Sequence, residues 1–423
     1  MVFSSPIVMF GFLPLFLVLY ALVFAPTRWL PDGRWRLAGF RLSNAFILLA
    51  SLLFYFWGEN WLILVMLAST TIDFISGQVI GRSDRPQLRR LFLTISILAN
   101  LSILGFFKYA NFGLEAVTGL AGLLGMGQGP LRDALDISLP LGISFDTFQS
   151  MSYTIDVYRR QVAPTRNFLD FACYVTMFPQ LVAGPIVRYR DVAAELRHRI
   201  VTAEGFSYGC LRFTQGLAKK VLISNTVAVP TDRIFALPAD QLSTPLAWLG
   251  VLGYSIQIYF DFSGYSDMAI GLGRMLGFTF PENFNYPYIS GSIQEFWRRW
   301  HISLSTWFRD YLYFPLGGDR VGRVRVYFNL VTVFFLCGLW HGADYGYVLF
   351  GLYHGVFLVL ERMGLARRLQ RWPMLLRLGY THLVLNLGWV VFRSSGPSQM
   401  GDFFQAMVGF GVETGQALSL IHI

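Results

Sequence analysis

Two histidines are the residues of this chain best suited to chemistry. His341 closes Leu339-Trp340-His341-Gly342, at the end of an uncharged apolar run that starts at Val326 and passes through Cys337 and Gly338. His301 follows the string Phe296-Trp297-Arg298-Arg299-Trp300. An ionisable side chain at membrane depth is costly and marks a functional site by default. Imidazole titrates at about pH 6.5, close to the operating pH of most enzymes. Two of them in so apolar a chain point to proton transfer inside a membrane. Read alone, each could equally be a satisfied core residue. His354 lies on the next apolar run and reads as structural, as do His382 and His198. A zinc ion shared by His301 and His341 is conceivable, but no third ligand has suggestive spacing, so no metal is expected. Cys337 precedes His341 by one helical turn and shares its face. An acyl relay through the pair is open, although a small apolar core residue is the favoured reading of Cys337.

The elements that must hold these groups are membrane helices. Hydrophobic residues make up 54% of the 423 and charged residues only 14%. A soluble chain carries about 25% charged residues. Mean hydropathy is +0.48. A bilayer crossing needs roughly 17–25 apolar residues. The clearest runs are 7–25, 42–57, 91–107, 171–187, 244–260, 326–343 and 345–360. Weaker ones are 61–80, 139–155, 206–229 and 378–392. The expectation is an all-α polytopic membrane protein with about 10–12 membrane segments, some re-entrant. The first run is too long for a signal-peptide core and lacks a basic leader and a small-residue cleavage site, so it reads as a retained helix.

The net charge is +9, carried almost wholly by Arg. Nucleic-acid binding is the wrong inference, because the charges sit in short loops between apolar runs. The positive-inside rule explains them better. Clusters at 28–41, 82–90, 188–199, 320–325 and 362–371 should face the cytoplasm, with an external turn at Glu59-Asn60 and the N-terminus outside. The cysteines Cys173, Cys210 and Cys337 lie in apolar segments without metal spacing, and no disulfide framework is expected.

Along the chain, 1–110 reads as a peripheral group of transmembrane helices with few polar residues at depth. Residues 111–138 read as a Gly-rich loop. From 139 to 393 the character changes, and polar residues interrupt apolar runs: Asp146, Gln149, Asp156, Gln180, Gln257, Asp261, Asp267, His301 and His341. Pro and Gly do so too, as in Phe178-Pro-Gln-Leu-Val-Ala-Gly184-Pro185. Non-helical backbone at depth is tolerated only under protein cover or beside water. This stretch is therefore the expected functional core, around an aqueous funnel. Residues 295–312 carry aromatics at helical spacing with interleaved charges, which predicts one amphipathic, interfacial helix bearing His301. Asp261 and Asp267 either line a cavity or hold the fold, with Arg274, Arg298 and Arg299 as candidate partners. Asn283, Asn285, Trp340 and Gln180 complete the candidate substrate contacts. The asparagines and their neighbouring tyrosines could instead be interfacial belt residues.

Several strings together resemble the membrane-bound O-acyltransferase family. They are Pro140-Leu-Gly-Ile-Ser-Phe145, Tyr153-Thr-Ile-Asp-Val-Tyr-Arg159, Phe178-Pro-Gln-Leu-Val-Ala-Gly-Pro-Ile-Val-Arg188, Tyr259-Phe-Asp-Phe-Ser-Gly-Tyr-Ser-Asp-Met-Ala-Ile-Gly271, Asn283-Phe-Asn-Tyr-Pro-Tyr288, Phe296-Trp-Arg-Arg-Trp-His-Ile-Ser-Leu-Ser305 and Gly338-Leu-Trp-His-Gly342. They occur in family order. Asp146, where an aromatic is frequent, and Asn225, where Asp is frequent, depart from the pattern. Within that family the chain looks like the membrane subunit of bacterial alginate O-acetylation and its relatives.

The resemblance implies helices around a through-membrane tunnel. It implies a cytoplasmic acyl thioester donor, acetyl-CoA or another, and a hydroxyl acceptor on the far side, with no bound cofactor. It makes His341 the family's invariant histidine and His301 the second, frequent one. It also implies a periplasmic O-acetyltransferase partner, an exported polysaccharide acceptor and a place in the bacterial inner membrane. Two other readings stay open: D-alanyl transfer to teichoic acid, and an acyl conduit or transporter without chemistry of its own. Residues 394–417 read as the start of a further helical region. The last six, Leu418-Ser-Leu-Ile-His-Ile423, translate a common sequencing-transposon end, so an adapter-derived tail on a truncated reading frame is expected there.

Overall fold

The structure, a computed structural model, describes residues 3–123, 137, 140, 142–181 and 184–410. The regular elements among them are all helical. The Gly125–Pro130 part of the expected loop and the six-residue tail lie outside the described residues. The chain divides into two compact units, Met1–Gln215 with Tyr265–Pro281, and Gly216–Gly264 with Glu282–Ile423.

The first unit opens with α1 (Leu13–Phe24), α2 (Arg34–Glu59), α3 (Ile63–Arg82) and α4 (Pro86–Leu123). Asn60 takes a left-handed conformation, φ 50°, and breaks the path between α2 and α3. That break falls at the expected Glu59-Asn60 turn. The helix α4 runs on to Leu123, so residues 111–123 are helical rather than loop. Apolar rings hold the unit together: Phe178 meets Phe16 edge-on at 5.0 Å and lies 5.4 Å from both Phe12 and Phe54.

The expectation of few polar groups at depth in 1–110 is corrected here. Asp73 on α3 accepts from Ser96 Oγ at 2.6 Å and from Asn100 Nδ2 at 2.8 Å, both on α4. Ser69 Oγ donates to Asn100 Oδ1 at 3.0 Å. All four are buried. Ser69 with Asp73, and Ser96 with Asn100, are each spaced one helical turn apart, so each helix shows a polar face to the other.

Next come α5 (Ile143–Tyr158), α6 (Phe168–Thr176), α7 (Phe178–Leu181), α8 (Tyr189–Arg197) and α9 (Ala203–Ala218). The run 171–187 is therefore not one crossing but two short helices and an irregular stretch. Pro179 fits only the first turn of α7, and Gly184-Pro185 prevents its continuation.

The second unit follows with a π-helical turn, Lys219–Ser224, then α10 (Asn225–Phe235) and α11 (Thr244–Met275), whose last residues belong to the first unit. Then come α12 (Ile293–Arg299), α13 (Ile302–Phe308), α14 (Arg323–His341), α15 (Tyr345–Leu360), the short α16 (Ala366–Leu369), α17 (Met374–Arg393) and α18 (Pro397–Gln405). Its core is aromatic. Phe350 stacks on Trp389 at 5.4 Å, and Trp300 lies 5.4 Å from Trp389.

The helices α14 and α15 form a tight antiparallel pair. A Cβ on Gly351 would lie 2.2 Å from the Phe334 carbonyl oxygen, and one on Gly338 would lie 2.4 Å from that of Tyr347. Only residues without side chains allow this approach, the small-residue packing that membrane helices use.

Among the described residues six helical stretches are long and apolar enough to cross a membrane: Val8–Arg28, Arg34–Arg82, Pro86–Leu114, Arg323–His341, Tyr345–Leu369 and Met374–Arg393. The protein is an all-α, multi-pass membrane protein. The expected 10–12 membrane segments included re-entrant ones, which are shorter than these six. One of the six, Arg34–Arg82, holds both α2 and α3. The helix α11 is long, but it carries Gln257, Asp261 and Asp267 and is not among the six.

Candidate functional site

The second unit brings together His301, His341, Asn283 and Trp340. His341 is the last residue of α14 and is half-buried. Its Nδ1 lies 2.7 Å from the carbonyl oxygen of Cys337, one turn back. A carbonyl only accepts, so Nδ1 carries the proton and donates it. Nε2 is then the basic nitrogen. Cys337 Sγ is 3.9 Å from the same Nδ1. Because that nitrogen is the donor, it cannot also take a thiol proton, and the geometry favours the core reading of Cys337.

His301 is not on one long amphipathic helix, as the aromatic spacing predicts. The structure breaks the segment at His301 itself, with φ 44° and ψ 54° between α12 and α13. This left-handed backbone costs a residue with a side chain roughly 1–2 kcal/mol, and histidine is among those that tolerate it best. The aromatic periodicity persists on both sides because α12 and α13 are each helical.

Asn283 organises the break. Its backbone oxygen accepts from Ile302 N at 2.9 Å. Its Oδ1 accepts from Ser303 N at 3.2 Å and from Ser303 Oγ at 2.9 Å. It thus satisfies the first amides of α13 in place of a local cap. A backbone N–H can only donate, so Oδ1, and not Nδ2, faces Ser303. His301 Nδ1, 3.2 Å from the same Oδ1, is therefore also a donor. Both imidazoles are thus held with Nδ1 protonated and Nε2 basic.

His301 is only 2% exposed. Burial pushes its imidazole well below the ordinary range, and the neighbouring His341 adds to the shift. Trp340 is buried between the two rings, 6.1 Å from His301 and 5.0 Å from His341, centre to centre. Phe262 meets His301 edge-on at 4.6 Å, and Phe392 meets His341 at 5.7 Å. Neither phenylalanine stood out in the sequence, where each is one apolar residue among many.

The other expected site residues are placed differently. Asn285 is exposed and is bonded through its backbone to Arg299. Asp261 is paired with Lys220 and accepts from Ser224 Oγ at 3.2 Å. Asp267, in the first unit, is bridged by Arg212 at 2.8 Å. The expected partners are engaged otherwise, Arg299 with Glu295 and Arg274 with Thr279. Gln180 is buried in the first unit and donates to the Tyr174 carbonyl at 2.6 Å. His354 is buried against Phe350 and Trp297, and His382 lies 2.9 Å from the Tyr288 carbonyl oxygen. No group of three or more His, Cys, Asp or Glu among the described residues is arranged to hold a metal ion.

One residue the sequence did not flag is Glu361, at the end of α15. Its carboxylate accepts from Ile293 N at 2.7 Å and from Gln294 N at 2.9 Å. It caps α12 from outside and fixes the helix that leads into His301.

The described elements are helical, six stretches are long and apolar enough to cross a membrane, and one unit holds two imidazoles on either side of Trp340 in sequence and in ring contact with it. The chain belongs to the membrane-bound O-acyltransferase family, whose family model matches residues 156–400. It is an acyltransferase. It is 45% identical over 413 residues to the probable alginate O-acetylase AlgI of Pseudomonas syringae pv. tomato, covering 97% of this chain and 76% of that protein. It is 35% identical over 454 residues to the peptidoglycan O-acetyltransferase of Helicobacter pylori, covering 100% and 82%. The teichoic acid D-alanyltransferase of Bacillus subtilis is 34% identical over 233 residues, covering 52% of this chain and 58% of that protein.

Proposed function

We propose that the chain moves an acetyl group from a cytoplasmic thioester, acetyl-CoA or another, to a hydroxyl bound for an exported, alginate-like polysaccharide. In this reading it sits in a bacterial inner membrane and works with a periplasmic O-acetyltransferase. His341 is the general base. The observation that carries the reading is the Nδ1 bond to Cys337, which fixes the proton on Nδ1 and leaves Nε2 as the basic nitrogen at the end of α14.

The chemistry follows from that tautomer. An alcohol is a poor nucleophile while protonated. His341 Nε2 takes the hydroxyl proton as the oxygen attacks the thioester carbonyl carbon. The carbon–sulfur bond then breaks, and the departing thiolate takes the proton back from the imidazolium. A positive charge at a helix C-terminus is favoured by about 0.3–1 kcal/mol, so the end of α14 stabilises the protonated intermediate form. Asn283 Nδ2 is buried and has no hydrogen-bond partner among the described residues. It is the donor left for a substrate oxygen, with His301 held beside it and Trp340 walling the site.

Sidedness has a physical support. From Arg323 to His341 the helix rises about 27 Å, at roughly 1.5 Å per residue. A hydrocarbon core is about 30 Å thick. If the Arg320–Arg325 cluster faces the cytoplasm, His341 lies towards the acceptor's side. An acetyl rather than a D-alanyl group is favoured by the near-complete coverage of the O-acetylase likeness.

The test is acetyl transfer by the purified full chain in vesicles, with labelled acetyl-CoA and a hydroxyl acceptor. Transfer should occur with wild type and be lost in His341→Ala while the variant keeps its unfolding temperature. Equal transfer by the variant would leave a conduit without chemistry as the better reading.

A further inference from the structure

The first unit contains a cavity lined in part by Arg28, Arg36, His198, Arg199 and Thr202, among apolar side chains such as Phe24 and Phe40. Two runs far apart in sequence meet there: the C-terminal end of α1 with the start of α2, and the loop after α8. Arg28 Nη2 donates to the Val201 carbonyl at 2.9 Å and ties the runs together. Both runs belong to Arg clusters that charge distribution assigns to the cytoplasmic face.

Arg199 makes this cavity unusual. It is only 3% exposed. Its Nε donates to Tyr20 Oη at 3.1 Å, and its Nη1 donates to Asn44 Oδ1 at 2.6 Å. Its carbon centre lies 4.7 Å over the Phe278 ring. Its Nη2 has no hydrogen-bond partner, and the side chain makes no ion pair with a described carboxylate. The nearby acids are engaged elsewhere. Asp32 pairs with Arg36, Asp170 accepts from Asn44 at 2.7 Å, and the Glu195 carboxylate accepts from Thr279 N at 3.0 Å. A buried charge without a counter-charge is costly. The lining holds Arg28, Arg36 and Arg199 and no carboxylate, and the buried Arg199 Nη2 is without a hydrogen-bond partner.

We infer that this cavity binds a phosphate group, presented by the headgroup of an anionic phospholipid. Guanidinium forks match phosphate oxygens, and basic pockets on the cytoplasmic side of membrane helices recognise such headgroups. The lipid source is favoured by the surroundings. Trp29 and Trp35, each adjacent in sequence to one of the lining arginines, are exposed, as expected for interfacial anchors. Leu22 on α1 and Leu42 on α2, each seven residues along the chain from Trp29 and Trp35 respectively, are exposed and suit acyl chains.

Native mass spectrometry of the full chain in neutral detergent tests this, with phosphatidylglycerol, phosphatidylcholine and inorganic phosphate as probes. The comparison variant is Arg28→Gln with Arg36→Gln, since both residues sit at the rim and their loss spares the buried Arg199. Phosphatidylglycerol should bind wild type more tightly than phosphatidylcholine, and the double variant should lose roughly tenfold or more of that affinity, the scale of one charge-assisted bond. Competition by inorganic phosphate would support the phosphate chemistry with a soluble source, and absence of competition would support the headgroup. Equal binding of both lipids with no binding of inorganic phosphate would overturn the inference. So would an unchanged affinity in the double variant.

Discussion

His341 Nδ1 and the carbonyl oxygen of Cys337 are 2.7 Å apart, one turn from each other at the end of α14. This bond is made to backbone, so it does not depend on the cysteine side chain. Cys337→Ala should keep acetyl transfer within about threefold of wild type, whereas His341→Gln should lose 10²–10⁴-fold, the range of roughly one positioned general base. Initial rates at saturating donor decide between them. A loss in Cys337→Ala as large as in His341→Gln would restore the acyl relay.

The pairing of His301 with Asn283 predicts a pH signature. Burial holds the folded imidazole well below its ordinary range. An unfolded histidine titrates at about pH 6.5. Between those two values the unfolded chain binds more protons, so stability falls as pH drops through the window and is flat in this respect above it. Unfolding temperatures measured downward from neutral pH should show that slope in wild type and less of it in His301→Gln. Asn283→Asp places a carboxylate against Nδ1 and should raise the His301 pKa, moving the acid limb of the rate profile upward. An unmoved limb would separate His301 from the rate.

The left-handed backbone at His301 gives a second handle. His301→Gly removes the ring but relieves the strained conformation. It should retain or slightly raise the unfolding temperature relative to His301→Ala, while both lose the same fraction of activity. Parallel unfolding and rate measurements on the two variants check this.

The close approach of α14 and α15 predicts intolerance of a single methyl. Gly351→Ala would place a Cβ against the Phe334 carbonyl. Overpacking of this kind costs typically about 1–3 kcal/mol. The helices should separate, so the unfolding temperature and the His341-dependent rate should fall together. Gly105→Ala, where nothing lies within 4 Å of the added atom, is the control: it should leave the rate unchanged and hold or slightly raise the unfolding temperature, as alanine for glycine in a helix interior does.

The polar seam in the first unit predicts a graded series. Asp73→Ala removes the shared acceptor of Ser96 and Asn100, which keep their bonds to Thr154 Oγ1 and to the Ser96 carbonyl, and should cost about 1–3 kcal/mol in all. Asp73→Asn keeps the shape and an acceptor and should cost less. Thermal unfolding in detergent orders the three proteins, and equal stability of wild type and Asp73→Ala would show the seam to be energetically idle.

Some of this was written locally in the chain. Apolar runs fixed an all-helical membrane protein, because bilayer length and backbone satisfaction leave few other solutions. The His341 bond was also legible in principle, since residues four apart on a helix face each other. The Asp73 seam was overlooked for the opposite reason: each helix shows its polar face only by periodicity, and the two faces become partners only once α3 and α4 pack.

Tertiary structure alone decided the rest. Sequence spacing suggested one helix through 295–312, and only the reach of Asn283 from eighteen residues back shows why the chain turns left-handed at His301. The partners Lys220 for Asp261 and Arg212 for Asp267 were equally hidden. Charge complementarity names candidate pairs, but which one forms depends on helix packing, and that is fixed by non-local contacts no short window of sequence contains.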